Sequence, residues 1–298
     1  MTARIIDGQA LATTIIRELE PQIAELKAKD RAPHLVAVQV GENAASRVYV
    51  RNQEKCCQEV GISYTLLELP PEMTAQTLTA RIEQLNADPK VTGIILQMPL
   101  PPGLNAREMQ WRIAPQKDVE GMNPANMGYV VYGRPRLAPC TAMAVYELVK
   151  FSGVEIKGAE VCLVGHSEIV GKPATMLLLD AFATTTTCHI ATRDLKSHSK
   201  LADILIVAVG KAGLIRADMI KPGATVIDVG INRVNVLDAA GQPVLDDKGK
   251  QKKKTVGDVD FAPACEVAGA ITPVPGGVGQ VTTAILLRNT VHAAQMQT

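Results

Sequence analysis

Leu11, Ile15, Leu19, Ile23 and Leu26 recur at helical spacing, which predicts an amphipathic helix that Pro21 kinks or restarts. The run HLVAVQV at 34–40 reads as a strand. Ser46 is placed to cap a helix running to Val60 and stopping at Gly61. A strand over 62–69, a helix over 74–87 and a strand over 91–97 follow. Strands separated by helices of about a dozen residues predict right-handed βαβ crossovers and a parallel sheet. PLPPG at 99–103 breaks the pattern. From 115 to 140 Pro, Gly and Asn are dense enough to predict a long functional loop and a domain boundary.

The alternation then restarts. Thr141 is placed to cap a helix ending near Gly153, followed by a strand over 160–164, a helix over 171–181 and a strand over 184–190. Buried strands are predicted at 203–209 and 224–229, and a hairpin over 232–256 carries the charge run DDKGKQKKK at its tip, read as solvated. ITPVPGGVGQV leads into a last amphipathic helix over 282–294.

The length of 298 residues allows one large or two modest domains. Aromatics are only 3%, so the core is aliphatic, and base-stacking readers of single-stranded nucleic acid are disfavoured. Thirty-one Lys and Arg against 30 Asp and Glu leave no global field to draw the chain to nucleic acid or an anionic membrane. Cys56, Cys57, Cys140, Cys162, Cys188 and Cys265 form no CxxC and no close Cys/His cluster, so no metal site is expected and the compartment reads as reducing. The first residues carry Arg4 and Asp7 and lack a long apolar stretch, and the longest strongly apolar run, Ile204 to Val209, is far too short to span a bilayer. A soluble, cytoplasmic protein is expected.

Candidate chemistry sits where the elements end. Gly165-His166-Ser167-Glu168-Ile169-Val170-Gly171 joins a strand to a helix. A glycine loop there puts backbone N–H groups and the positive helix end under a phosphate. Tyr49 and Gln53, four residues apart, share a helix face. Gln97 closes the third strand, and Asp118 and Glu120 sit in the boundary loop. These are places where open α/β sheets bind ligands. Pro273-Val274-Pro275-Gly276-Gly277-Val278-Gly279 is stiff yet allows close approach, which suits a flat ligand.

The stretches SRVYVRNQEKCCQEVGI, GIILQMPLP, PQKDVEG, PCTAMAVYELV, VGHSEIVGKPATMLLL, ADILIVAVGK, KPGATVIDVGIN, VGDVDF and ITPVPGGVGQVT occur in this order from about residue 5 to 294. Together they resemble the methylenetetrahydrofolate dehydrogenase/cyclohydrolase (FolD-type) family. The resemblance implies an α/β protein of two domains. One is a folate domain over 1–140 completed by a returning helix at 281–298; the other is a Rossmann domain over 141–280 that binds NAD or NADP. It implies a homodimer, with tetrahydrofolate as the one-carbon carrier in a cleft that also holds the nicotinamide. Carried over by motif, Tyr49, Gln53, Gln97 and Glu120 fall at catalytic positions, and Tyr49, Gln97, Glu120, Pro273, Gly276 and Gly277 at the substrate. Gly165, His166, Ser167, Ile190, Arg193, Ile231 and Thr272 fall at the cofactor.

Several positions depart from the family pattern. Gln53 stands where the family has the lysine that serves its cyclohydrolase step, and Lys55 lies on nearly the opposite helix face. Glu120 replaces an aspartate, keeping the carboxylate on an arm one methylene longer, and Gln280 replaces a proline. His166 and Ile190 replace an arginine and a serine that help hold the 2′-phosphate of NADP, while Arg193 offers a replacement charge and Asp194 an acceptor for the free 2′-hydroxyl of NAD. The expectation is oxidation of 5,10-methylenetetrahydrofolate with NAD, or both dinucleotides, and a weak or absent cyclohydrolase step. The alternatives are an ordinary bifunctional enzyme giving 10-formyltetrahydrofolate, a non-catalytic folate-binding regulator, or a related dehydrogenase with a changed carrier.

Overall fold

The elements predicted from spacing are present, and several short ones join them. A computed structural model of the chain describes residues 2–41, 46–238, 242–245 and 249–297, with the side chains of 46–49 outside that description. In chain order the elements are β1 (Arg4–Ile5), α1 (Gly8–Ala28), β2 (His34–Val40), α2 (Ser46–Val60), β3 (Ser63–Leu69), α3 (Ala75–Ala87), β4 (Gly93–Leu96), α4 (Ala106–Arg112), α5 (Pro124–Val131) and α6 (Cys140–Phe151). The second half adds β5 (Glu160–Val164), α7 (Gly171–Asp180), β6 (Thr184–Cys188), α8 (Leu195–Ser199), β7 (Ile204–Val207), β8 (Thr225–Asp228), β9 (Asn232–Asn235), β10 (Lys253–Val256), α9 (Phe261–Cys265), β11 (Ala270–Ile271) and α10 (Val278–Met296). Among the described residues no helix is long and apolar enough to cross a membrane, and no group of three or more His, Cys, Asp or Glu is placed to hold a metal ion.

The chain divides into two compact units. One comprises Ala12–Met143 and Thr282–Thr298. Its three-stranded parallel sheet has the order β3-β2-β4. Val36, Val38 and Leu96 of that sheet pack with Leu78, Ile82 and Leu85 of α3 and with Met109 and Ile113. The five spaced apolar residues of α1 are all buried. Pro21 does not interrupt that helix, because it and Arg17, whose carbonyl it leaves unbonded, both face solvent. The returning helix is held in this unit by polar contacts: Asn289 Nδ2 donates to the carbonyls of Val119 (2.8 Å) and Ala138 (3.0 Å), and Gln297 Nε2 to that of Thr92 (2.8 Å). It begins at Val278, before the expected Thr282, so Gly279 and Gln280 lie in its first turn.

The other unit comprises Met1–Leu11 and Ala144–Val281. Its six strands run parallel in the order β1-β11-β8-β7-β5-β6, a Rossmann-like sheet with helices α7 and α8 in its crossovers. The span expected at 1–140 loses its first residues to this unit, because Arg4 and Ile5 pair with Ala270 and Ile271. The expected hairpin is present as β9 against antiparallel β10; residues 246–248 of its charge run lie outside the described residues.

Two further expectations need correction. The stretch 115–140 is not one long loop: Asn123 caps α5, its side chain accepting from Ala125 N–H, with Pro124 in the first helical position. Thr141 does not cap α6, which already includes Cys140.

Candidate functional site

Consider first the carboxyl edge of the three-stranded sheet. Gln97 follows the last residue of β4 and Gln53 lies in α2, the helix that leaves β2; both are buried. Gln97 Nε2 donates to Gln53 Oε1 at 2.8 Å. That direction turns the Gln53 amide so that its Nε2 is the remaining donor, and this buried atom has no partner among the described residues. An unmade bond of this kind costs about 1–3 kcal/mol and calls for an acceptor from a ligand or an ordered water. Lys55 is on the exposed side of α2 beside Glu59, 3.7 Å away, as the helix periodicity requires. Tyr49 lies in α2, but its side chain is among those outside the described residues.

Glu120 joins the same edge. Its carboxyl bonds with the backbone of Leu96, the neighbour of Gln97, and with the Gln110 side chain. Burial, and to a lesser degree the carboxylate of Asp118, push its pKa up to about 8. Gln53 and Gln97 thus meet directly, and Glu120 is tied to the same strand end through Leu96. Asp118 is not part of the open surface: it is buried and its Oδ2 accepts from Asn123 N–H (2.7 Å) and Asn126 Nδ2 (2.9 Å). Lys117 is buried as well, its Nζ donating to the carbonyls of Leu85 and Asp88 at the C-terminal end of α3, where a cation meets the negative end of the helix.

At the carboxyl edge of the six-stranded sheet, Gly165 follows β5 with φ +120°, and a Cβ there would strike the carbonyl oxygen of Ala208 after β7. Only glycine fits that approach. The Ser167 hydroxyl accepts from Val170 N–H at 3.2 Å, tightening the loop. The side chains of α3, α4, α5 and α8 caps bond their helix starts, whereas α7 has Val170 at that place and no side-chain cap. The positive end of this ten-residue helix behind a glycine turn suits an anion, but Lys172 N–H already bonds the Ser167 carbonyl (3.0 Å) and Pro173 has no N–H, so most of the donors would have to come from the turn itself.

The remaining cofactor candidates divide. His166 lies near His189, ring centroids 5.2 Å apart, and both are exposed. Ile190, Arg193 and Ile231 are exposed along this edge. Asp194 caps α8 by accepting from Ser197 N–H at 3.2 Å. Thr272 departs from the expectation of direct contact: it is fully buried, and its hydroxyl accepts the N–H of Asp228 at 2.8 Å, so it supports the edge from below. Pro273 is partly buried, Gly276 has φ +109° and its carbonyl accepts from Gly8 N–H at 3.1 Å, and Gly277 is buried. Sequence reasoning passed over Asp228 and Asp258, both buried and both ringed by backbone N–H groups. An aspartate closing the apolar run TVID was the available signal.

Comparison with known proteins finds two family models along the chain, the second of which takes in the returning helix. Residues 6–120 match the model of the tetrahydrofolate dehydrogenase/cyclohydrolase catalytic domain, and 139–298 that of the NAD(P)-binding domain of the same enzymes. The chain is 46% identical over 295 residues to the bifunctional protein FolD of Burkholderia cenocepacia, covering 99% of this chain and 98% of that one. It superposes with a TM-score of 0.90 at 39% identity on the bifunctional FolD of Campylobacter jejuni, covering 99% and 100%. It is similar also to the Trypanosoma brucei methylenetetrahydrofolate dehydrogenase-cyclohydrolase, solved with NADP and an inhibitor, with a TM-score of 0.89 at 37% identity over 99% and 98% of the two chains.

Proposed function

The chain belongs to the tetrahydrofolate dehydrogenase/cyclohydrolase family, and on that premise we propose that it oxidises 5,10-methylenetetrahydrofolate to 5,10-methenyltetrahydrofolate with NAD or NADP as hydride acceptor. The observation that carries this reading is the joint placement of Gln53, Gln97 and Glu120 at one sheet edge, with a buried donor unspent. Glu120 anchors the pterin amino and ring N–H groups, and Gln97 lies against the one-carbon end. The product cation is stabilised by its own two nitrogens, so the residues orient rather than ionise. The dinucleotide would supply the hydride acceptor; Gly165, His166, Ser167 and the start of α7 would hold its phosphates and ribose. Exposed Arg193 would supply a charge for a 2′-phosphate, while the loss of arginine at His166 and of a hydroxyl at Ile190 favours NAD or dual use.

The relatives are described as bifunctional, which supports hydrolysis of the methenyl product to 10-formyltetrahydrofolate as a second step. One observation favours a restricted form of that reading. Gln53 holds an amide where the family has a lysine, and an amide donates a hydrogen bond but moves no proton. Two assays on the pure protein decide between them: NAD(P)H formation from methylenetetrahydrofolate, and decay of methenyl absorbance against buffer. Hydrolysis well above buffer assigns both steps; decay at the buffer rate assigns oxidation alone. Folate binding without any NAD(P)H formation would replace both with a regulator. Like the family to which it belongs, the protein is proposed to act as a homodimer, which light scattering tests.

A further inference from the structure

Asp258 is wholly buried, and its carboxylate is ringed by donors. Its Oδ2 accepts from the N–H groups of Val209 (2.7 Å) and Gly210 (2.9 Å), and its Oδ1 from Lys211 N–H and Asn232 Nδ2, both at 2.8 Å. Three successive backbone N–H groups thus wrap a carboxylate of the chain as such nests wrap a bound anion. Asp228 is likewise held by backbone N–H groups, from two segments of chain: Oδ1 accepts from Gly230 (3.0 Å) and Asp258 (2.9 Å), and Oδ2 from Val259 (2.9 Å). The contact is so close that a Cβ on Gly257 would strike the Asp228 carboxylate.

Val209, Gly210 and Lys211 follow β7, Gly230 and Asn232 follow β8, and Asp258 and Val259 follow β10; the first two groups lie at the carboxyl edge where the glycine loop also lies. Gly230 and Asn232 are both tied inward, and Ile231 between them is left outward, 70% exposed. Ala208, the residue against which Gly165 packs, immediately precedes the tied turn at 209–211. Resting on the dinucleotide reading above, we propose that Asp228 and Asp258 are positioning residues for the cofactor: through the turns at 209–211 and 230–232 they present Ile231 and back the Gly165 loop.

Asn232 gives the test that leaves both carboxylates in place. Asn232→Ala removes one donor; Asn232→Asp keeps the shape but sets an acceptor against Asp258. Affinity for NADH and NADPH is read by fluorescence titration, and KM for each substrate and kcat by NAD(P)H formation. Asn232→Ala should weaken dinucleotide binding by about three- to tenfold and Asn232→Asp by about tenfold or more, the size of one lost buried hydrogen bond. Folate KM and kcat at saturation should stay within about twofold, a split that general loosening of the fold would not produce. Asp258→Asn should exceed both. If the unaltered protein binds dinucleotide and both Asn232 variants bind it equally well, the positioning assignment is overturned alone. If the unaltered protein binds neither NADH nor NADPH, the cofactor reading falls and this assignment with it.

Discussion

Glu120 sits in the site as an acid held mostly protonated at neutral pH, since burial and Asp118 push its pKa up to about 8. A ligand that offers N–H donors to it favours the carboxylate, so binding at pH 7 must release a proton. The sign follows: affinity for the folate rises with pH toward about 8, by at most tenfold per pH unit, and levels off above. Calorimetry in buffers of different ionisation enthalpy would show the released proton. An affinity flat from about pH 6 to pH 8 would mean that Glu120 does not meet the ligand. The neighbouring Gln53 gives a second expectation. Gln53→Lys places a titratable amine beside Gln97 and should raise methenyl hydrolysis by about ten- to a hundredfold while leaving oxidation within a few-fold; no gain would show that the position does not govern the hydrolytic step. Gln97 and Glu120 were legible in the sequence as residue types beyond a strand end, and Gln53 as a position on a helix face. Their hydrogen-bond directions were not, because the orphan donor on Gln53 exists only once Gln97 reaches it across the sheet.

Helix α5 illustrates what can be lost at the scale of elements. Asn123-Pro124 is a helix-start signal, but the eight residues that follow include Gly128 and carry too short an apolar pattern to outweigh their Pro, Gly and Asn content. The helix stands because Asn123 serves three partners: Oδ1 accepts from Ala125 N–H, while Nδ2 donates to the carbonyls of Trp111 and Ile113. Asn123→Ala removes the cap and strands buried carbonyls, and should cost about 2–3 kcal/mol in chemical denaturation. A loss below about 0.5 kcal/mol would show that the turn is held by Asp118 alone. Long periodic elements were read correctly because a burial stripe needs several turns to declare itself. Two-residue strands such as β1 and β11 have no period to read, and only their pairing defines them.

At the scale of the molecule, each unit carries its own candidate ligand site. Dinucleotide should therefore slow amide exchange first around 165–171, 209–211 and 230–232, and folate first around 53, 97 and 120. Exchange measured by mass spectrometry with each ligand separately checks this, and protection by dinucleotide confined to residues 53–120 would reverse the assignment of units. The two-unit organisation was legible from the restart of the β/α alternation. The grouping of the first residues with the later unit was not, since it rests on contacts between distant parts of the chain. That pairing bears on synthesis. The strand at Arg4 and Ile5 is made about 265 residues before its partner at Ala270 and Ile271. Until then the partner edge does not exist, and the early strand must wait on the ribosome while residues 12–143 have their whole three-stranded sheet available. Such a nascent chain can pair β5 to β8 first and closes the β8-β11-β1 edge of its six-stranded sheet last, a step that its distant contacts slow.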